Sequence, residues 1–453
     1  MPTIDRRTFV RVAAGALTAA TASLGRARPA RGAVPEASGR TWRVDGARLG
    51  RRLQDLSRFG ANPQGGVSRV AFSPADVEGR AFTMEMMRAA KLDVRVDPVG
   101  NIFGRRPGLD AGAAPIVFGS HIDSVPEGGN YDGDVGSMSA IEVAQVLGEK
   151  GYRNRHPLEV AIWCDEESGL TGSRGFVGDL ATEDLARPGR NGTVLAENIR
   201  RLGGDPARLA EARHAPGSVT AYLELHIEQG GTLDAAGIPI GVVEGIVGIH
   251  HYEVTVRGFA NHAGTTPMDK RRNALLAASE IVLAVDRIVR SVPGRQVGTV
   301  GRLVVRPGAP NVIPGEVSFT IELRDLKTET IESLWSRIEP EARAIVARQG
   351  CTMEYVLPPP DRPALTDAHM RDLIAGVADD LGLRHLSLPS GAGHDAQELA
   401  RIAPMGMIFV PSVGGISHSP KELSRPADIA NGANVLLQAV LRLDQDAREG
   451  GRP

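Results

Sequence analysis

Histidine and carboxylate meet at short spacing in Gly119-Ser120-His121-Ile122-Asp123-Ser124, and a second acid follows in Tyr131-Asp132-Gly133. The run Pro115-Ile116-Val117-Phe118 is apolar with β character, so His121 is expected where a buried strand ends. In open α/β sheets that carboxyl end is where ligands bind. Asp123 is placed to hold the imidazole in one tautomer, as carboxylates do behind metal-bound histidines. Asp132 lies in a glycine-rich loop able to fold its carboxylate back toward the same point. A lone His-x-Asp is weak, so the reading depends on ligands elsewhere.

Three more candidates stand at or just beyond apolar runs: Glu167, His226 and His418. The pair Glu166-Glu167 follows the run 158–164. Adjacent carboxylates are costly to bury together unless cations neutralise them. Their side chains diverge, so one can hold a metal while the other faces a substrate. Imidazole plus carboxylate suits Zn²⁺ and neighbouring transition ions, whereas Ca²⁺ or Mg²⁺ would take oxygen alone. Five protein ligands, with Asp132 able to bridge, make a two-metal site natural, and ions there would acidify a shared water. The competing reading makes each histidine an ordinary core or surface residue and the acidic pair a solvated helix start. It requires all of them to end strands by accident.

The elements that must position these residues alternate. Helices are expected over 49–59, over 74–90 with Ser73 as cap, and over 135–147, with strands at 92–96, 115–119, 158–164 and 219–226. That order implies a βαβ sheet with its active edge at the strand ends. Residues 182–216 read as a helical excursion. After Gly245 the texture changes: strands at 251–257, 297–305, 317–323 and 351–357, with helices at 273–289 and 331–348, give a β-α-β-β-α-β unit. Pro358-Pro359-Pro360 and Pro363 make a stiff exit, and the α/β pattern resumes with a strand at 405–410. A small domain over 246–363 is therefore expected to interrupt a larger one formed by 34–245 and 364–453.

The whole chain sets outer bounds. Its 453 residues suggest two or three domains, and 42% apolar and 23% charged residues describe a globular protein. A formal net charge of −2 lacks the basic footprint of a nucleic-acid binder. Cys164 and Cys351 sit in strand-like apolar surroundings and read as buried free thiols. At the N-terminus, Arg6-Arg7 precedes an apolar run over 12–24, and Ala30-Arg31-Gly32-Ala33 offers small residues for cleavage. This reads as a Tat-type signal over 1–33 that directs export to the periplasm or beyond. The run is too short for a permanent span, so no membrane partner is expected of the mature chain.

Together the motifs resemble the hydantoinase/carbamoylase family of metal-dependent amidases. That family includes N-carbamoyl-L-amino-acid hydrolases, allantoate amidohydrolases and β-ureidopropionases, and it is related to dinuclear-zinc exopeptidases. The likeness is carried by Gly119–Val125, Tyr131-Asp132-Gly133, Glu166-Glu167, Glu224-Leu225-His226-Ile227-Glu228-Gln229-Gly230 and Ser417-His418-Ser419-Pro420-Lys421-Glu422. Gly258–Met268, which contains His262-Ala263-Gly264-Thr265-Thr266-Pro267, and Pro310–Gly315 extend it into the inserted unit.

The resemblance implies an α/β fold: a mixed-sheet, dinuclear-metallopeptidase-like catalytic domain with an inserted α+β (split βαβ) dimerisation domain. It implies two divalent ions per subunit, Zn²⁺ or Mn²⁺, with Co²⁺ or Ni²⁺ also suited. His121 and His226 would be terminal ligands on one ion, Glu167 and His418 on the other, with Asp132 the bridge and Glu166 the general base. His262 would act on the carbonyl from a partner subunit in a homodimer formed through 246–363. Asn311 and Arg324 would contact the substrate, Arg324 gripping a carboxylate in a fork, and Gln229 and His394 would line the pocket. One segment departs from the family's pattern: Ser168-Gly169-Leu170-Thr171 leads straight to Gly172-Ser173-Arg174, without the longer loop usual there. That loop borders the site, so its shortness bears on the substrate.

The implied reaction is hydrolysis of a linear amide or ureido C–N bond in a small carboxylate-bearing molecule, such as an N-carbamoyl-L-amino acid, allantoate or a ureidoglycolate-like compound. A dinuclear-metal peptidase of small peptides is the enzymatic alternative. An exported solute-binding protein without catalysis is the alternative from another class. Glu166 separates them, because a binder has no need of a free carboxylate beside the metals.

Overall fold

A computed structural model describes residues 42–446, so the twin-arginine segment lies outside the described residues. The chain first builds strands β1 (Asp93–Val96), β2 (Ile102–Arg106), β3 (Ile116–His121), β4 (Leu158–Trp163), β5 (Ala221–Ile227) and β6 (Ile240–Ile246). It then makes β7 (Gly248–Arg257), β8 (Asn261–His262), β9 (Val297–Arg306), β10 (Val312–Ile313), β11 (Glu316–Asp325) and β12 (Thr352–Val356). Last come β13 (Ala364–Leu365), β14 (His385–Ser390) and β15 (Met405–Val410).

The large sheet runs β1-β2-β4-β3-β5-β15-β6-β13, with β14 also paired to β6. Its centre is parallel: β4 with β3, β3 with β5, and β5 with β15. Strands β3, β4, β5 and β15 are buried at every position, which explains their nearly continuous apolar sequences. Helices Gly46–Leu56, Asp134–Glu149, Ala368–Asp380 and Pro426–Gln445 cover one face. On the other, Phe176, Ala396 and Leu399 from helices Thr171–Val177 and Asp395–Leu399 pack against Trp163, Tyr222 and Phe409.

The inserted unit has its own sheet, β12-β7-β11-β9, and its own core beneath helices Ala274–Ser291 and Thr328–Arg348. Both sheet and helices follow from period: β11 alternates buried and half-buried residues, and Asn273 caps the first helix through its side chain. The unit leaves β6 at Ile246 and returns at Ala364, which pairs with Ile246. Entry and exit are thus adjacent strands, and the fold class is the one the sequence implied. Both cysteines are buried and free.

Some elements differ from the expectation. The excursion over 182–216 is four short helical pieces, Thr182–Ala186, Leu195–Arg201, Pro206–Arg208 and Leu209–Ala212, because no apolar period runs through it. Strands β2, β6 and β14 were not read from the sequence. Glycines and charges interrupt the apolar pattern of β2 and β6, and β14 contains Pro389.

Candidate metal centre and active site

Four neighbouring parallel strands, β4-β3-β5-β15, end on one side of the sheet, which brings distant parts of the sequence together. His121 is the last residue of β3, and His226 is the penultimate residue of β5. Glu166 and Glu167 begin the short helix Glu166–Gly169 just after β4, and His418 lies in the loop after β15. Asp132 precedes helix Asp134–Glu149.

Each buried histidine is held by backbone. His121 Nδ1 lies 2.9 Å from the Asp123 carbonyl, and His226 Nδ1 lies 2.9 Å from the Ile227 carbonyl. A carbonyl only accepts, so Nδ1 carries the proton and Nε2 is the acceptor atom, which at His226 receives the Gly133 amide at 3.2 Å. The support of His121 therefore comes from the Asp123 main chain rather than its side chain, which stands 3.7 Å away. The Asp123 carboxylate instead accepts from the Glu166 and Glu167 amides, at 3.2 Å each. It orients the acidic pair, because the tight turn after β4 presents two orphan amides beside it, while its charge still favours the protonated imidazole of His121.

The ligand atoms of Asp132, Glu167 and His418 all lie within 4.8 Å of one another. His418 Nε2 stands 3.2 Å from Asp132 Oδ2 and 3.5 Å from Glu167 Oε1. His226 Nε2 stands 3.5 Å from the other Asp132 oxygen, which places Asp132 between the two groups. His121 Nε2 is 3.8 Å from Glu166 Oε2. Gln229 donates from Nε2 to Asp132 at 3.0 Å. A second cluster, Glu224, His226 and His394, lies deeper. There both Glu224 oxygens are already occupied, by Ser120 on one side and by Tyr222 and the Ala396 amide on the other.

The electrostatics mark the site as built for cations. Burial pushes the Glu166 carboxyl well above its usual range, against the pull of His121. Burial and the Asp132 charge push Glu167 to about 8. The hydrogen bond to Asp132 raises His418 to about 9. Burial alone would raise Asp132, but His418, His226 and His121 hold it below the usual carboxylate range. Buried Glu167 Oε1 has no hydrogen-bond partner, so the donor set fits divalent metal. Asp165, Leu170, Gln229 and His418 all adopt positive φ between 52° and 58°, and backbone strain of this kind gathers at functional sites.

A cleft of about 1100 Å³ reaches all five candidate ligands, Glu166, Gln229 and Arg324. Arg324 donates from Nε to Glu322 and from Nη1 to the Gly391 carbonyl, at 2.6 Å each. These contacts hold the guanidinium at the cleft wall. His394 is elsewhere: it is 1% exposed, packs edge-on to His226 and bonds Ser390 through Nε2 at 2.8 Å. It backs a ligand instead of lining the pocket. His262 and Asn311 also lie outside this cleft and are exposed, next to each other where β8 pairs with β10 and the Ala263 amide donates to the Asn311 carbonyl at 3.0 Å. His262 Nδ1 accepts from the amides of Gly264 and Thr265, so its Nε2 carries the proton as an outward donor. Glu422, whose place in a polar loop marks it only as an acid beside His418, lies 4% exposed against the Asp132 amide.

Residues 117–442 match peptidase family M20/M25/M40. An N-carbamoyl-L-amino acid amidohydrolase of Geobacillus stearothermophilus is 40% identical over 89% of this chain and 99% of its own length. A ureidoglycolate hydrolase of Arabidopsis thaliana is 36% identical over 89% of this chain and 87% of its own. Among solved structures, an amidase of the hydantoinase/carbamoylase family from Burkholderia multivorans superposes with a TM-score of 0.82. It is 37% identical, and the match covers 88% of this chain and 98% of that one.

Proposed function

The chain belongs to peptidase family M20/M25/M40 and is a metal-dependent amidohydrolase of non-peptide C–N bonds; from that premise we propose that it cleaves the ureido or amide bond of a small carboxylate-bearing substrate. An N-carbamoyl-L-amino acid, allantoate or a ureidoglycolate-like compound fits. The observation that carries the proposal is Glu166, a buried carboxylate on the cleft wall beside candidate ligand His121 and outside the metal-binding clusters. A binding protein needs no such group.

In this reading Asp132, Glu167 and His418 would hold one divalent ion, Zn²⁺ or Mn²⁺, and His121 and His226, with Asp132 beside them, would hold a second. Bound ions supply Lewis acidity, polarising the carbonyl and easing deprotonation of water. Glu166 takes the proton from the attacking water and returns it to the departing nitrogen, a shuttle suited to a carboxyl pulled two ways by burial and by charge. Arg324 pairs with the substrate carboxylate through the N–H groups not used by Glu322 and Gly391. His262 donates to the developing oxyanion of the partner's substrate in a homodimer formed through 246–363. Its exposure, away from its own subunit's cleft, supports that role. The twin-arginine segment supports export of the folded enzyme.

Ammonia release from N-carbamoyl amino acids, allantoate and ureidoglycolate, and free amino-acid release from dipeptides, with defined metals added back, test the function. Turnover of the ureido compounds is expected. Turnover of dipeptides alone would replace this reading with a peptidase, and turnover of nothing would replace it with a binder.

A further inference from the structure

Glu422 presents a chemical problem. It is 4% exposed and stands close to the Asp132 carboxylate, and among the described residues no lysine or arginine pairs with it. An unpaired carboxylate in such a place is destabilising unless hydrogen bonds satisfy it. Three do. Oε1 accepts from the backbone amides of Tyr131 at 2.9 Å and Asp132 at 3.0 Å, and Oε2 accepts from Ser417 Oγ at 2.8 Å.

The two ends of this one carboxylate therefore hold two loops almost three hundred residues apart in sequence. One carries Asp132 and the other His418. The fit is tight from a third side as well, since a Cβ on Gly129 would lie 2.1 Å from Glu422 Oε1. His418 itself is half-exposed, with a side chain 48% exposed, and its ring is met at Nε2 by Asp132, Glu167 and Gln229.

We propose that Glu422 is a positioning residue whose carboxylate fastens the Asp132 loop to the His418 loop and so sets the affinity of the ion those residues share with Glu167. The proposal rests on the reading of these three as ligands. A side chain that merely filled space there would hold both candidate ions equally well or equally badly. A fastening between Asp132 and His418 acts mainly on one.

The test strips the full-length protein of metal and titrates it with Zn²⁺ against a chelating competitor, counting ions per chain. The unmodified protein is expected to bind two. Glu422→Ala is expected to weaken one of them by about 10- to 100-fold, the usual range for residues that orient ligands. The ion at His121 and His226 should change less. Glu422→Gln, whose carboxamide oxygen can accept from the same two amides, should recover most of the loss. Unchanged binding in Glu422→Ala, or equal loss of both ions, overturns the proposal. Failure of the unmodified protein to bind any divalent ion overturns the reading of the centre itself. Should Glu422→Ala not fold, Ser417→Ala carries the test, because it removes one bond at a half-exposed position. A roughly three- to tenfold loss at the same ion is expected, and none overturns the proposal.

Discussion

Glu166 and Glu167 are neighbours in sequence, yet they face different partners. Glu167 reaches the Asp132–His418 group, while Glu166 reaches only His121 and the open cleft. Glu166→Gln keeps the size and the buried position but cannot carry a proton. It is expected to retain bound metal and lose roughly 100- to 10,000-fold in kcat. Metal analysis beside steady-state kinetics decides this, and near-normal turnover removes the base assignment. The titrations of Glu167, at about 8, and His418, at about 9, both lie above the ordinary values of 4.5 and 6.5. Groups raised in this way stabilise the metal-free fold fully below their ordinary values and lose that contribution as pH rises through the shifted ones. Asp132, which is lowered, has already gained its contribution at neutral pH. Metal needs Glu167 and His418 deprotonated, so binding should release protons and tighten by roughly tenfold or more per pH unit between pH 6 and 8. Calorimetric titration in buffers of different ionisation enthalpy measures both effects. Affinity that falls with rising pH would contradict the assigned ligands.

At the scale of elements, the site depends on how closely the turn after Asp132 meets the end of β3. Gly133 adopts φ +66°, and a Cβ there would lie 2.4 to 2.6 Å from the His121 ring. Gly133→Ala is therefore expected to displace His121 and weaken one of two bound ions by about tenfold or more. Equilibrium metal titration shows this directly, and unchanged stoichiometry and affinity would refute it. The same elements show what the sequence could disclose. Strands β3, β4, β5 and β15 were legible because both their faces are buried, and the split βαβ unit because each element keeps its own period. Strand β6 was not: Gly241, Glu244 and Gly245 break its pattern, although it joins β15 to the edge of the sheet. The candidate ligands were legible as residue types at strand ends. The exchange of duties at Asp123 was not, since no spacing distinguishes a main-chain carbonyl from the side chain beside it. Glu422 was hidden for a related reason, because an acid in a loop reads as solvated until the loop is seen folded under another.

For the whole molecule, the placement of His262 has the largest consequence. It is exposed, holds its proton outward and lies outside its own subunit's cleft. If it serves a partner's site, mixing His262→Ala subunits with Glu166→Gln subunits should recover about a quarter to a half of normal activity in the mixed dimers, because one site per pair is intact. Size-exclusion and assay of the mixed species check this, and mixed dimers that stay inactive would rule out the exchange. The order of the large sheet carries one more consequence, and it concerns time. β15 lies between β5 and β6, although it follows every other described strand in sequence. Until Met405–Val410 leaves the ribosome the sheet is two separate pieces, and His418 follows later still. His121, Asp132, Glu167 and His226 precede it in the chain, but the group of Asp132, Glu167 and His418 stays incomplete without it. An ion held by Asp132, Glu167 and His418 would therefore have to wait for the loop after β15 before its three ligands could meet.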